Sequence, residues 1–250
     1  MVKSHTAGWP KGAPTAAQLK EFFAQIESGC VTKERLQLFL RGDLSYELAR
    51  YILGQDFIPP KEIAAARGLT YSGERLRYFA DTLPSMETIM WCRANDCMLV
   101  AGPPRKMSLL EIRELKPRLF RIERDGWYAK DEFSRRDKVK VDWLILRKGP
   151  VPDSTDKMWE EQQKLLSSEE RVPNAAEAVW GFTTHREVCG VYVVPDICVR
   201  TSSVGSDGNR VLVGRRFDHH GLYVHLLGDD HCLVGLGLSS ARLPADKVGK

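Results

Sequence analysis

The fold prediction depends on the stretch Val199-Arg-Thr-Ser-Ser-Val-Gly-Ser-Asp-Gly208 and the framework that follows it, which is Val211, Val213, Gly214, Phe217-Asp218, Gly221-Leu222, Val224, Asp229-Asp230 and Leu236-Gly-Leu-Ser-Ser-Ala-Arg242. Between residues 188 and 246 the chain contains no Lys, Glu, Gln, Met or Trp, although these five types make up 50 of its 250 residues. At the average frequency the stretch would hold about twelve of them. Small and β-branched residues fill it instead, which favours β structure.

Unrelated residues interrupt this framework at positions that follow the geometry of a strand. In Val211-Leu212-Val213 and Leu222-Tyr223-Val224-His225 the framework residue is expected to point one way and the interrupting residue the other. A mixture of His, Tyr, Leu, Asn and Arg on an outward face is typical of a binding surface. The interrupting residues, all predicted to bind ligand, are Asn209, Leu212, Arg215, His219, His220, Tyr223, His225, Leu226, Leu227, His231, Cys232, Leu233 and Val234.

A simpler explanation of the composition stays open. Strands are generally depleted in Lys, Glu and Gln, so a long β segment could lack them without any functional reason. That explanation does not account for the irregular residues falling on one side of the strands.

The framework residues quoted above resemble the C-terminal end of variable proteins diversified by retroelements, which have a C-type-lectin-like fold of the formylglycine-generating-enzyme type. In that family adenines of an RNA template are copied into random bases, mostly at AAC or AAT codons. Such codons cannot become Lys, Glu, Gln, Met or Trp codons when their first two bases are randomised. Every interrupting residue belongs to the reachable set. The resemblance implies a diversified ligand-binding surface on a constant scaffold.

A second similarity lies upstream of this region. The segment Arg171-Val-Pro-Asn-Ala-Ala-Glu-Ala-Val-Trp180 is similar to the helix-opening Leu-Pro-Thr-Glu-Ala-Glu-Trp pattern of the same fold type. The resemblance therefore covers roughly residues 84 to 242, and it is more specific at the C-terminal end.

Helical signals dominate residues 1–83, for which we predict a small all-helical domain. Thr15 and Gln18 form a capping-box pattern before an apolar helical repeat that ends at Ser28-Gly29. A short helix is predicted from Thr32 to Leu40. Further helices are predicted over Leu44–Leu53, after Pro59-Pro60, and from Gly73 to Leu83.

Residues 84–246 are predicted to form the C-type-lectin-like variable domain, an α+β unit with many short strands and two helices. The helices are expected after the caps Ser108 and Asn174. Strands are expected over 97–100 and 139–146, and Val191–Val194 is expected to begin the β-rich end.

Composition excludes several function classes. The net charge of +4 is slight and spread along the chain, so no nucleic-acid partner is expected. No apolar run is long enough to cross a membrane, and the N-terminus lacks the apolar core of a signal peptide. These features predict a cytoplasmic protein, with export by another route left open.

Neither a metal site nor a catalytic site is predicted, and no cofactor is expected. The spacing of His219, His220, His225 and His231 matches no zinc motif. Asp229 and Asp230 would face opposite sides of a strand, so they are expected to hydrogen-bond loop amides rather than act as a catalytic pair. Cys232 has no companion cysteine at suitable spacing, and the six cysteines are expected to be reduced.

The sequence thus predicts a non-enzymatic binding protein whose ligand is macromolecular and expected to be a protein. The N-terminal helical domain is expected to serve attachment or assembly. The alternative is a fixed-ligand carbohydrate-binding module or an enzyme related to formylglycine-generating enzymes.

Overall fold

The computed structural model describes residues 15–33, 36, 44–121, 126–194, 196–214 and 221–242. Within these ranges the chain is a mixed α+β protein with several small sheets. It divides into two compact units, Met1–Ser45 and Tyr46–Lys250. The predicted boundary after residue 83 therefore differs from the observed division, because residues 46–83 belong to the larger unit.

The first unit contains helix α1 (Ala16–Glu27), which begins at the predicted capping box. Gln18 donates its backbone N–H to the Thr15 hydroxyl, and the Gln18 side chain accepts from the Thr15 N–H at 2.8 Å. The helix ends at Ser28, as predicted. The helix predicted from Thr32 to Leu40 lies mostly outside the described residues.

Helices of the second unit confirm most of the predicted positions. Three of them, over Met86–Ala94, Phe133–Arg136 and Trp159–Gln163, were not predicted, so the described residues after 83 contain five helices instead of the expected two. The described helices are α2 (Leu44–Leu53, which begins just before the boundary), α3 (Pro60–Arg67), α4 (Gly73–Asp81), α5 (Met86–Ala94), α6 (Leu109–Leu115), α7 (Phe133–Arg136), α8 (Trp159–Gln163) and α9 (Ala175–Cys189). Short 3-10 turns cover Gly54–Asp56, Pro117–Leu119 and Trp127–Ala129.

The strands fall into three sheets. They are β1 (Phe57–Ile58), β2 (Cys97–Ala101), β3 (Met107–Ser108), β4 (Lys138–Val139), β5 (Trp143–Arg147), β6 (Glu170–Arg171), β7 (Cys198–Val204), β8 (Arg210–Gly214), β9 (Tyr223–Leu227), β10 (Leu236–Leu238) and β11 (Ala241–Arg242). Their orders are β1-β2-β5-β11-β6, β10-β7-β8-β9 and β3-β4. The predicted strand over Val191–Val194 is wrong, since these residues form no strand.

Helix α9 lies at the centre of the larger unit. Its residues from Ala175 to His185 are all buried, as expected for a helix that is covered on every side. Asn174 and Glu177 form a capping box at its start, and Gly190 ends it in the left-handed conformation with φ 77°. The main apolar cluster joins this helix to one face of each larger sheet.

The main cluster also explains why residues 46–83 belong to the larger unit. Ile58, Ile63 and Phe79 are fully buried in it beside residues that come much later in the chain. Strand β1 pairs in parallel with β2, placing Phe57 opposite Leu99. Helices α3 and α4 therefore complete the mixed core rather than forming a helical domain of their own.

Candidate functional site

The four-stranded sheet has two apolar faces with different surroundings. Val211, Val213 and Val224 project into the main cluster around α9. Leu212 projects the other way and forms a second cluster with Cys198 and Leu236, against which Tyr223 and Leu227 pack. The predicted alternation between framework and interrupting residues is confirmed at these positions. We call the second side the outer face.

Two predicted ligand-binding leucines are placed differently from expectation. Leu226 lies on the inner side of β9, where its side chain packs against the main cluster and next to Gly205. It follows Val224 by two positions, so strand alternation directs it to the same side. Leu212 is on the outer face but only 5% exposed, because Cys198 and Leu236 pack beside it. It forms the floor of the face and is not displayed.

Other predicted residues are exposed on or beside this face. His225 is exposed on β9, and His231, Cys232, Leu233 and Val234 are exposed in the segment that joins β9 to β10. Val234 is 78% exposed and Leu233 is 42% exposed. We call residues 228–235 the display loop. Its end is next to the outer-face floor, since Leu236 belongs to the floor cluster and donates its N–H to the Leu233 carbonyl at 2.9 Å.

Tyr223 is half-buried at the edge of the floor, and its ring contacts include Arg121 and His225. The Arg121 guanidinium lies 5.2 Å from its ring centroid, and the His225 ring lies 5.2 Å away with an interplanar angle of 30°. Aromatic and Arg side chains of this kind are frequent anchors in protein interfaces. Tyr223, His225 and Leu227 therefore form the strand part of the candidate surface.

Asn209 has a local structural contact and stands apart from the outer-face cluster. Its N–H and side-chain amide donate to the Asp207 carboxylate at 3.0 and 2.8 Å, in the turn between β7 and β8. This arrangement is an Asx-type turn contact. The predicted residues Arg215, His219 and His220 lie outside the described residues.

The backbone of the display loop is held by groups that the sequence argument did not identify. The Arg200 guanidinium donates to the carbonyls of Gly228, at 3.2 Å, and His231. Trp159 donates its N–H to the Asp229 carbonyl at 3.0 Å, and Asp156 donates its N–H to the Leu233 carbonyl at 3.2 Å. The main chain of the loop is thus attached to the segment that contains α8.

An ion pair fixes the first part of this loop. Arg210 donates from Nε and Nη2 to the two carboxylate oxygens of Asp229, each at 2.8 Å, and its guanidinium lies 3.6 Å from the Trp159 ring centroid. Bidentate Arg–carboxylate pairs are among the stronger hydrogen-bonded contacts in proteins. Asp229 therefore pairs with a side chain rather than with loop amides, whereas Asp230 is exposed and contacts the His231 ring.

Arg200 is the most deeply buried charge in this arrangement, with no exposed surface. Burial lowers the pKa of its guanidinium, and the negative charge of Asp229 opposes that change. The sequence offered one signal for this role, because Arg200 lies within the framework between Val199 and Thr201. No comparable signal marked Trp159, which precedes the framework by many residues.

The larger unit also contains a cleft of about 750 Å³ whose lining includes none of the predicted ligand-binding residues. Its lining includes Trp143 and the start of α5. Arg171 and Glu177 in its wall form a bidentate pair at 2.7 and 2.8 Å. Their charges already neutralise each other, so they do not define the charge of a ligand.

Two other features are absent from the described ranges. They contain no helix with both the length and the apolar character needed to span a bilayer. The same residues include no group of three or more His, Cys, Asp or Glu side chains arranged to hold a metal ion.

Known protein families, curated proteins and solved structures show no match to the chain.

Proposed function

We propose that this chain is a binding protein that recognises a macromolecular ligand with the outer face of the four-stranded sheet and the display loop. One observation carries the proposal. Apart from the ion pair of Asp229 with Arg210, the loop is held through its backbone carbonyls, while the side chains of His231, Cys232, Leu233 and Val234 are exposed. The groups that fix the loop are therefore separate from the groups available for contact.

This separation is what a recognition surface with exchangeable side chains requires. Exposed substitutions usually change the free energy of unfolding by about 0.5 kcal/mol or less. Loss of a central contact residue in an interface, in contrast, weakens binding by about 2 kcal/mol or more. Changes at these positions would then alter affinity far more than stability.

The chemistry of the surface favours a protein ligand. Leu233 and Val234 are exposed apolar residues beside a floor of Cys198, Leu212 and Leu236. Tyr223 and His225 add ring surface at the edge of the same floor. Contiguous apolar and aromatic groups on an exposed surface are typical of protein contact sites.

We further propose that the surface is diversified, as the resemblance to retroelement variable proteins with a C-type-lectin-like fold implies. The absence of Lys, Glu, Gln, Met and Trp from residues 188–246 supports this part of the proposal. Sequencing the gene from many cells of one population tests it. Substitutions should concentrate at codons such as 225 and 231–234 and should spare codons 211, 213 and 224. Substitutions spread evenly over both sets would refute diversification.

A display experiment tests the binding surface without knowledge of the natural ligand. Codons 223, 225, 227 and 231–234 are randomised in the full chain, and the library is displayed on yeast. Cells are sorted for resistance to protease and then for binding to purified streptavidin as a test protein. We expect most members to remain folded and specific binders to appear.

A matched library provides the control. It randomises the same number of codons at inward positions, namely 199, 201, 211, 213, 222, 224 and 226, which lie on the core side of the sheet or beside it. Large-to-small changes in a core cost roughly 2 to 5 kcal/mol each, so most of these members should be cleaved by protease. Equal loss of folded members in the two libraries would contradict an exchangeable surface and favour a fixed-ligand module or an enzyme.

A further inference from the structure

We propose that Arg200 and Gln162 are positioning residues that set the path of the display loop independently of the side chains the loop carries. Arg200 donates to the Gln162 side-chain oxygen at 2.8 Å and to the Lys157 carbonyl at 3.1 Å. It also donates to the carbonyls of Gly228 and His231. One guanidinium thus joins three separate parts of the chain.

Gln162 completes the arrangement from the other side. It is fully buried, and its amide nitrogen donates to the Ser154 carbonyl at 2.6 Å and lies 3.4 Å from the Leu236 carbonyl. The amide nitrogen therefore holds Leu236, the residue that follows the display loop, while the amide oxygen orients Arg200. Neither residue reaches the exposed surface, so neither is available to contact a ligand directly.

The choice of arginine has a physical reason. A buried positive charge is unfavourable unless it is hydrogen-bonded, and the acceptors here are carbonyl and amide oxygens. The nearby carboxylate of Asp229 is already bound to Arg210. A guanidinium offers donors in a rigid planar fork, so it can satisfy several acceptors that point from different directions. A lysine would present a single ammonium at one point.

The acceptors of Arg200 in the display loop are main-chain oxygens, so these contacts do not depend on the side chains of the loop. A carbonyl at position 228 or 231 is present whatever side chain that residue carries. The contacts therefore survive substitution at His231 and its exposed neighbours, and the loop keeps one path. The significance for recognition rests on the proposed function, whereas the positioning itself can be measured without a ligand.

Amide hydrogen exchange of the full chain tests the inference. Arg200→Met should accelerate exchange in residues 228–236 and at the Asp156 and Trp159 amides by about tenfold or more relative to the rest of the chain, because local opening no longer breaks the Arg200 contacts. Gln162→Met should accelerate the same amides to a smaller extent. Arg200→Lys, which keeps the charge and part of the donor set, should give intermediate rates.

Arg67→Met is the matched control. Arg67 is also fully buried, and it donates to the hydroxyls of Thr183 and Thr184 at 2.8 Å, away from the loop. This variant should accelerate exchange near α9 and leave the relative rates of residues 228–236 unchanged. Gln162→Met serves as the second test if Arg200→Met does not fold.

The inference is overturned if Arg200→Met or Gln162→Met accelerates exchange evenly along the chain, or if Arg67→Met loosens the loop to the same extent. The exchange rates do not depend on the result of the display experiment, so either proposal can fail without the other.

Discussion

At the residue scale, the charged group with the clearest physical consequence is His185 near the end of α9. Its Nε2 lies 3.3 Å from Asp56 Oδ1, and its Nδ1 lies 3.1 Å from the Val191 carbonyl oxygen. Lys148 lies 2.9 Å from the other Asp56 oxygen. Burial lowers the pKa of His185, but hydrogen bonds to Asp56, Cys189 and the Val191 carbonyl outweigh it and raise that pKa to about 9.

The raised pKa of His185 predicts how the free energy of unfolding depends on pH. Because the folded pKa is above the ordinary value of 6.5, the charged ring stabilises the fold fully below pH 6.5, and this contribution is lost as pH rises through about 9. The free energy of unfolding should fall over that interval by on the order of 2 to 3 kcal/mol from this group. His185→Gln, measured by urea denaturation between pH 6 and 9.5, should lose this part of the pH dependence.

The comparison with the His185→Gln variant is needed because other groups titrate in the same pH range. Burial raises the pKa of Cys92 and of Cys97 to about 12, so ionisation of these thiols in the unfolded chain lowers stability above pH 9 in both proteins. The difference between wild type and variant isolates the histidine. Parallel pH profiles for the two proteins would mean that His185 is not charged in the folded state.

At the scale of the element, the end of β8 requires a residue without a side chain. A Cβ atom at Gly214 would lie 2.2 Å from the Ile197 carbonyl oxygen and 2.6 Å from the Cys198 Cα. Both are backbone atoms of the neighbouring strand segment, so they cannot move aside as a flexible side chain can. Gly214 also pairs with Tyr223, which places this close contact directly beside the candidate surface.

Gly214→Ala should therefore lower the free energy of unfolding by about 1 to 3 kcal/mol or more, since overpacking at this point forces the strands apart. The control is Gly235→Ala, where a Cβ would meet no atom within 4 Å. Thermal melting of the two variants should show a clear decrease for the first and little change for the second. Similar melting temperatures would contradict the tight approach of β7 and β8.

The element scale also shows which features the sequence determines by itself. Capping residues and apolar repeats predicted α1, α3, α6 and the start of α9, because these signals act within one helix. The β-branched run Val191–Val194 misled the prediction. An apolar side chain of such a run can be buried within a strand or outside one, and Val194 is buried in the main cluster without strand pairing. Composition alone cannot distinguish these two outcomes.

A second limit concerns contacts between distant elements. The strand predicted over 139–146 is divided into β4 and β5. Gly102 lies against the segment between these two strands, since a Cβ atom at Gly102 would be 2.1 Å from the Lys140 carbonyl oxygen. Alternation correctly predicted the directions of Leu212 and Tyr223, but their exposure depends on which residues pack over them. The partners of Arg200 likewise come from α8 and the display loop, which only the tertiary fold brings together.

At the scale of the whole molecule, the four apolar clusters of the described residues all lie after Ser45. One covers the inner faces of both larger sheets with α9, and another covers the opposite face of the five-stranded sheet with Ala49, Leu53 and Ile89. Strand β2 contributes to both, because Met98 and Val100 point one way while Cys97 and Leu99 point the other. Residues 46–83 are therefore part of the fold that contains the candidate surface.

This arrangement predicts different outcomes for two truncations. A chain of residues 46–250 keeps every described member of the clusters, so it should melt cooperatively with a free energy of unfolding within about 1 kcal/mol of the full chain. A chain of residues 84–250 loses Ile58, Ile63, Phe79 and strand β1. Each missing core side chain costs roughly 2 to 5 kcal/mol, and their sum approaches the whole stability of about 5 to 15 kcal/mol of a typical domain. Calorimetry and circular dichroism should therefore show no cooperative transition for the shorter chain, whereas a stable 84–250 fragment would place the domain boundary after residue 83.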